Sequence, residues 1–319
     1  MTSPSSSVWA VADQPARVQR QGRYLPASTA HPGKMLPALA RQAISSYSNP
    51  GELLLDPMCG IGTTLVEATH LGRQAIGVEL EQRWATLAAA NLNHARAQGA
   101  PGHGLALKGD ACQLGQGLLD EYRGKVALIL TSPPYGPSLH GQVRKGEHGV
   151  QKFDYRYSEN PDNLAHLPQT ASRRKPSFDT VLADILAGCR RMLAPNGRLV
   201  MTVRPYRRDG HLIDLPGQLE QLAAANGLVM HDRHAALLCG LDGTRLVPRA
   251  SFFQIRHQRS GTFPRMLIIG HEDVLIFRPK TSSVSSRKLK GGQREPTCSD
   301  GLPSSLDACV RGEVAERAA

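Results

Sequence analysis

Short, nearly unbroken apolar runs alternate along this chain with longer stretches in which apolar residues recur every three or four positions. Glu52-Leu-Leu-Leu-Asp56 is the first such run, and Gln74–Glu79, Leu105–Gly109, Val126–Leu130 and Arg198–Val203 repeat it. A short apolar run without alternation predicts a strand covered on both faces. Between the runs lie segments with helical spacing: the one carrying Leu65, Val66, Ala68 and Thr69, then Gln82–Gln98 closing at Gly99, Phe178–Leu193, and Leu215–Ala225 stopped by Asn226-Gly227. Val274–Phe277 predicts a late antiparallel strand. Alternation of this kind predicts an α/β fold with a doubly wound, mostly parallel sheet, whose ligand sites gather at the carboxyl ends of the strands.

The pattern fades at both ends. Residues 1–30 are rich in Ser, Pro, Gln and Arg and carry few apolar residues, so they are expected to form a flexible lead. From Pro279 to Ala319, Ser, Gly, Lys and Arg dominate and predict a disordered basic tail. One domain, residues 31–278, remains between them, with insertions at 136–177 and 240–266.

Composition narrows the class of partner. A formal net charge of +11 over 319 residues favours a polyanion, because Lys and Arg near phosphates gain Coulomb attraction and release counterions. Cys59, Cys112, Cys189, Cys239, Cys298 and Cys309 show neither zinc-ligand pairing nor a compact disulfide framework, which fits a reducing compartment. His140, His148, His257 and His271 have no ligand spacing, and no metal site is expected. With no basic-then-apolar leader and no apolar run long enough to span a bilayer, a cytoplasmic protein without membrane partners is expected.

Chemistry concentrates where strands end. Asp56-Pro-Met58-Cys-Gly60-Ile-Gly62-Thr63-Thr64 forms a strand-to-helix turn in which glycines let a ligand approach exposed backbone amides. It lacks the GxGxxG spacing of dinucleotide binders, and a tight turn without a ligand is the plainer reading. Glu79 closes the second strand, where a carboxylate accepts from both hydroxyls of a ribose; a helix N-cap is its alternative role. Asp110, after the third strand, is placed to accept from an adenine amino group. Three acids at three successive strand ends point to a nucleoside site.

Thr131-Ser132-Pro133-Pro134-Tyr135 is the sharpest signal. Two prolines fix φ, remove two amide donors and hold an extended corner with free carbonyl oxygens. The Ser132 hydroxyl and the Pro133 carbonyl would accept the hydrogens of an exocyclic amino group and draw its nitrogen lone pair out of conjugation. Tyr135 is suited to stack on a base taken out of a duplex.

These residues resemble the amino-methyltransferases of DNA, which make N4-methylcytosine or N6-methyladenine. The resemblance rests on Asp56, Gly60, Gly62, Glu79, Asp110 and Ser132-Pro133-Pro134-Tyr135, with His31-Pro-Gly-Lys34-Met35 similar to the family's segment that closes over the methionine part of the cofactor. Met58 and Cys59 stand where the family often has Phe and a small residue. The resemblance implies a Rossmann-like methyltransferase domain with a seven-stranded sheet and an antiparallel edge strand, and S-adenosyl-L-methionine as cofactor. Its cofactor contacts would be His31, Lys34, Asp56, Met58, Gly60, Gly62, Thr63, Glu79 and Asp110. It further implies double-stranded DNA as partner with the target base flipped out, and a cognate restriction endonuclease where the enzyme serves a restriction-modification system. The Ser form of the turn leans toward cytosine over adenine.

Two basic segments are candidates for DNA contact. Residues 136–177 carry Arg144, Lys145, Lys152, Arg156, Arg173, Arg174 and Lys175 among Phe153, Tyr155 and Tyr157, although a solvated insertion has the same composition. Residues 245–265 carry Arg245, Arg249, Arg256, Arg259 and Arg265 with Phe252 and Phe253 and no acid. Rival readings are methylation of an amino group in RNA or of a protein glutamine, for which an Asn commonly leads the Pro-Pro-Tyr, and a non-catalytic nucleic-acid-binding module. Methylation at carbon 5 of cytosine needs a Pro-Cys pair, which the chain lacks.

Overall fold

The structure is a computed structural model that describes residues 6–134, 142–146, 149–153, 158–168, 171–172, 175–208, 211–249 and 267–280. In chain order the elements are β1 (Val8–Ala10), α1 (Ala16–Arg20), α2 (Pro37–Tyr47), β2 (Leu53–Asp56), α3 (Thr63–His70), β3 (Gln74–Glu79), α4 (Gln82–Ala97), β4 (His103–Lys108) and β5 (Val126–Thr131). A hairpin of β6 (Gln142–Gly146) and β7 (Gly149–Phe153) follows, then α5 (Phe178–Met192), β8 (Leu193–Val203), β9 (Tyr206–Arg208), β10 (His211–Ile213), α6 (Leu215–Ala225), β11 (Leu228–Leu237), β12 (Cys239–Asp242), β13 (Arg245–Pro248) and β14 (His271–Pro279).

Eight strands form one sheet in the order β1-β11-β14-β8-β5-β2-β3-β4. From β4 to β8 all neighbours are parallel, while β14 runs antiparallel to both β8 and β11. The apolar runs become central strands: β2 is buried throughout, and Leu128, Ile129 and Leu130 of β5 are fully enclosed. Strands β3 and β4 step outward on one side of β2, and β5 and β8 step outward on the other. That reversal opens a crevice at the carboxyl ends of β2 and β5, the place where doubly wound sheets bind ligands.

Helices seat on the sheet by the faces their sequences present. α5 buries Phe178, Leu182, Ile185, Leu186, Cys189 and Met192, begins with the Ser177 hydroxyl accepting from the Thr180 amide at 3.2 Å, and ends with Arg190 and Arg191 in its last turn. α6 is capped by Asp214, which accepts from the Gly217 amide at 3.1 Å.

Several sequence expectations are corrected. The antiparallel strand is not at an edge: β14 lies inside the sheet, because β11, unread in the sequence, pairs outside it. The Pro195-Asn-Gly197 turn is absorbed into β8, where the register against β5 slips between Val126 and Leu128. The expected flexible lead is ordered from Ser6 to Ala30: β1 adds to β11 as an eighth strand, and Trp9 stacks on His234 with ring centroids 4.4 Å apart. Of its few apolar residues, Trp9, Val11 and Tyr24 reach the core, while Val8 and Val18 stay exposed. Its polar ones meet buried partners that local composition does not reveal. Fully buried Glu67 accepts from the Tyr24 hydroxyl at 2.7 Å and from Arg23 at 2.8 Å, and buried Asn91 accepts from the Leu25 amide at 3.0 Å.

The insertion at 136–177 contains the β6–β7 hairpin, and its segment 158–168 folds back on the domain with Leu164, Ala165 and Leu167 buried. Of the insertion at 240–266, the β12–β13 hairpin is described, whereas Phe252, Phe253, Arg256, Arg259 and Arg265 lie outside the described residues. The tail from Thr281 lies outside them as well. Among the described residues no helix is long and apolar enough to cross a membrane.

Candidate functional site

Between β2 and α3 the backbone turns through Gly60 at φ +53° and Gly62 at φ +81°, both left-handed, and Gly62 is the N-cap of α3. The turn is pinned by backbone bonds from Cys59 N to Val78 O at 3.0 Å and from Gly62 N to Cys59 O at 2.8 Å. Asn91 of α4 adds a bond from its side-chain amide to Ile61 O at 2.9 Å. A Cβ on Gly60 would lie 3.3 Å from His31 Nε2, so the segment at 31–36 rests directly on the turn. His31 is buried and meets Trp84 edge-on at 4.6 Å.

Asp56 is buried, and its Oδ1 accepts from the Met58 amide at 3.1 Å. Burial pushes its carboxyl up to about 6, against the pull of the nearby Thr64 hydroxyl, the bonded Met58 amide and the nearby Thr131 hydroxyl. Glu79 receives the turn with both oxygens, accepting from Gly60 N at 2.8 Å and from Glu81 N at 2.9 Å. Burial pushes this carboxyl up to about 7 despite those two donors, with Glu81 and Asp56 adding repulsion. Asp110 is exposed and caps a short helical turn by accepting from the Cys112 amide at 2.9 Å. Lys34 donates to the His31 carbonyl; burial lowers its ammonium to about 8, with nearby Arg20 acting in the same direction.

These residues surround two cavities. The larger, about 610 Å³, is lined by His31 and Lys34, by Asp56, Met58, Gly60, Thr63 and Thr64, and by Ser132, Pro133 and Pro134. The smaller is a narrow cleft of about 60 Å³ holding Glu79 and Asp110. Met58 and Pro134 line both. The glycine turn therefore ends where the proline corner begins. Gly62 shapes the turn without lining either cavity, and Tyr135 lies outside the described residues.

Several lining residues carry no cofactor or catalytic role in the sequence pattern, and one of them, Arg249, was expected at a DNA contact. Asp162, Asn163 and Leu164 of the folded-back insertion close the narrow cleft beside Glu79 and Asp110. That segment is held by Glu81, whose carboxylate accepts from the Ser158 hydroxyl and from Asn160 N at 3.1 Å. Arg204, Tyr206, Arg249 and Glu272 line the larger cavity. Arg249 donates to the carbonyls of Ala12 at 2.7 Å and Asp13 at 2.5 Å, tying the β12–β13 hairpin to the N-terminal segment. The available signal was position: Arg204 follows one strand directly and Glu272 opens another, as the three acids follow theirs.

The set of acceptors suits a cationic nucleoside. Carboxylates at Glu79 and Asp110 match the hydroxyl and amino donors of an adenosine, and Asp56 matches an ammonium group. Gly60 lines the larger cavity with His31 packed against it, and the amides of Cys59, Gly60 and Gly62 are already bonded within the protein, so the turn meets a ligand by close approach and not through free amide donors.

The family described as DNA methylase matches residues 2–90. The tRNA (guanine(10)-N2)-dimethyltransferase of Methanothermobacter thermautotrophicus is 34% identical over 128 residues, 39% of this chain and 34% of that protein. The type II methyltransferase M.SmaI of Serratia marcescens is 43% identical over 51 residues, 16% of this chain and 18% of that protein. The structure of TrmN from Thermus thermophilus superposes with a TM-score of 0.46 at 17% identity, over 82% of this chain and 53% of that one. The chain spans about a third of the length of the first of these curated relatives.

Proposed function

We propose, from the match of residues 2–90 to the DNA methylases, that this chain methylates an exocyclic amino group of a base in DNA, N4 of cytosine in preference to N6 of adenine. S-adenosyl-L-methionine is the cofactor. When bound it supplies an electrophilic methyl group on a sulfonium. The observation that carries the reading is the pair of cavities meeting at Met58 and Pro134, one lined by the acids suited to a nucleoside, the other by the proline corner.

In this reading Glu79 holds the ribose hydroxyls, Asp110 the adenine amino group, and the wall of His31, Lys34, Asp56, Met58, Gly60 and Thr63 the methionine end. Gly62 sets the direction of the turn. The Ser132 hydroxyl oxygen and the Pro133 carbonyl accept the two amino hydrogens of the target base, and the resulting loss of conjugation raises the nucleophilicity of its nitrogen. Neither proline offers an amide donor to compete for those acceptors. Tyr135 stacks on the flipped base. Rate enhancement comes chiefly from holding nitrogen and methyl in line.

The similarity to a tRNA guanine-N2 dimethyltransferase over 128 residues favours a second reading, amino-methylation of RNA. The two are separated by incubating the protein with labelled S-adenosyl-L-methionine and either unmodified duplex DNA or transcribed tRNA, then identifying the methylated nucleosides by mass spectrometry. N4-methylcytosine from DNA is expected. Ser132→Ala is expected to lower transfer by about 10- to 100-fold, the worth of one strong hydrogen bond, while cofactor affinity stays unchanged. Equal incorporation by wild type, Ser132→Ala and Tyr135→Ala would remove the mechanism.

A further inference from the structure

Two oppositely charged side chains line the larger cavity on the β8–β14 side: Arg204, immediately after β8, and Glu272, the second residue of β14. Asp273 of β14 stands opposite Val203 of β8 at the end of their antiparallel ladder, and Glu272 and Arg204 are the next residues beyond it along the two segments. Strand β5 flanks β8 on its other side, with Thr131 paired to Met201, and Ser132 follows directly. Ser132, Arg204 and Glu272 thus occupy the site ends of three adjacent strands and line one chamber. Burial raises the Glu272 carboxyl, and the charge of Arg204 pulls it back, so the two side chains sense each other.

Accepting the amino-methylation reading, we propose that Arg204 reads the ring edge of the target base beside its amino group and that Glu272 orients the Arg204 guanidinium. A planar guanidinium donates through two parallel N–H groups, and its plane is fixed by a carboxylate at its side. Cytosine presents two acceptors next to its amino group, a ring nitrogen and a carbonyl oxygen. Adenine presents one ring nitrogen and then a C–H. Guanine turns a ring N–H toward the reader, leaving two donors face to face. The pair therefore selects cytosine, tolerates adenine and rejects guanine. Arg204 is a specificity residue that touches the base, and Glu272 is a positioning residue acting through it.

The test uses the full chain, labelled S-adenosyl-L-methionine, unmodified duplex DNA and transcribed tRNA, with nucleosides resolved by mass spectrometry. Arg204→Gln is expected to raise KM for DNA and to erode the ratio of N4-methylcytosine to N6-methyladenine, each by about tenfold or more, the usual discrimination of one bidentate contact. Its Kd for the cofactor is expected to stay within about twofold of wild type. Glu272→Gln should shift KM and product ratio in the same direction by less, and Glu272→Asp should restore part of both, which a purely structural role would not do. Should Arg204→Gln fail to fold, Arg204→Lys keeps the charge without the fork and is expected to erode the ratio alike. A wild-type ratio and KM in the folded Arg204 and Glu272 variants would overturn the inference and leave the activity standing. N2-methylguanine as the wild-type product would also overturn it, whereas no transfer to either substrate would sink the proposed function itself.

Discussion

Replacing Glu79 by Gln tests how the nucleoside cleft is prepared. The carboxyl is 8% exposed, accepts two backbone amides, and is pushed up to about 7 by burial. Below its ordinary value of 4.5 the group is neutral in folded and unfolded chains alike. Between 4.5 and about 7 the unfolded chain ionises first, so folding stability falls as pH rises; above about 7 both states are ionised and the loss levels off. The gap from 4.5 to about 7, at ~1.36 kcal/mol per pH unit, amounts to roughly 3 kcal/mol, most of it between about pH 5 and pH 8.5. Gln carries no such charge, but it offers one acceptor oxygen where Glu offers two. One of the Gly60 and Glu81 amides then faces an NH2 group, a pH-independent cost of about 1–3 kcal/mol. Urea denaturation of the cofactor-free protein across that pH range should therefore find the variant less stable at the acid end and close to wild type at the alkaline end. Bound cofactor should flatten the wild-type curve, because ribose hydroxyls donating to the carboxylate favour its charged form, and should leave the variant's slope unchanged. Parallel curves for the two cofactor-free proteins would refute the reasoning.

Gly60→Ala puts a Cβ 3.3 Å from His31 Nε2 in a left-handed conformation, a strain of about 1–2 kcal/mol. A weaker cofactor Kd by titration calorimetry is the expected result, and unchanged affinity would show that the turn does not meet the ligand. Trp9→Ala removes the ring stacked on His234 and should cost about 3–5 kcal/mol by chemical denaturation; a loss under about 1 kcal/mol would mean that β1 is not anchored by it. Neutralising Arg256 and Arg259 together should weaken DNA binding and reduce the slope of log K against log salt by about 2. The same affinity and slope would exclude that segment from the interface.

What the sequence disclosed follows from how local each signal is. Central strands such as β2 and β5 are legible because a segment buried on both faces must be apolar throughout, whatever its neighbours. The strand-end residues Asp56, Glu79, Asp110 and Ser132 were legible for a related reason: strand ends are fixed by the same runs, and the topology collects them on two cavities sharing Met58 and Pro134. β11 escaped because its exposed, charged half, His231, Asp232 and Arg233, interrupts the apolar pattern around a register shift. The N-terminal segment escaped because its order depends on Glu67, Asn91 and His234, between 40 and more than 200 residues away in sequence. Asp162 and Asn163 sit in a stretch whose composition reads as solvated and whose place is set by distant Glu81.

The short strand β1 covers Ala235, Ala236 and Leu237 of β11, the uncharged end of that strand, while His231, Asp232 and Arg233 stand exposed along the remainder. Charge and a bulge discourage a foreign strand from docking on one half; three residues of the chain's own backbone occupy the other. Deleting the segment through Ala12 would accordingly leave a bare apolar rim ready to zip against its like, and the shortened protein should form concentration-dependent oligomers in light scattering before it shows any loss of helix.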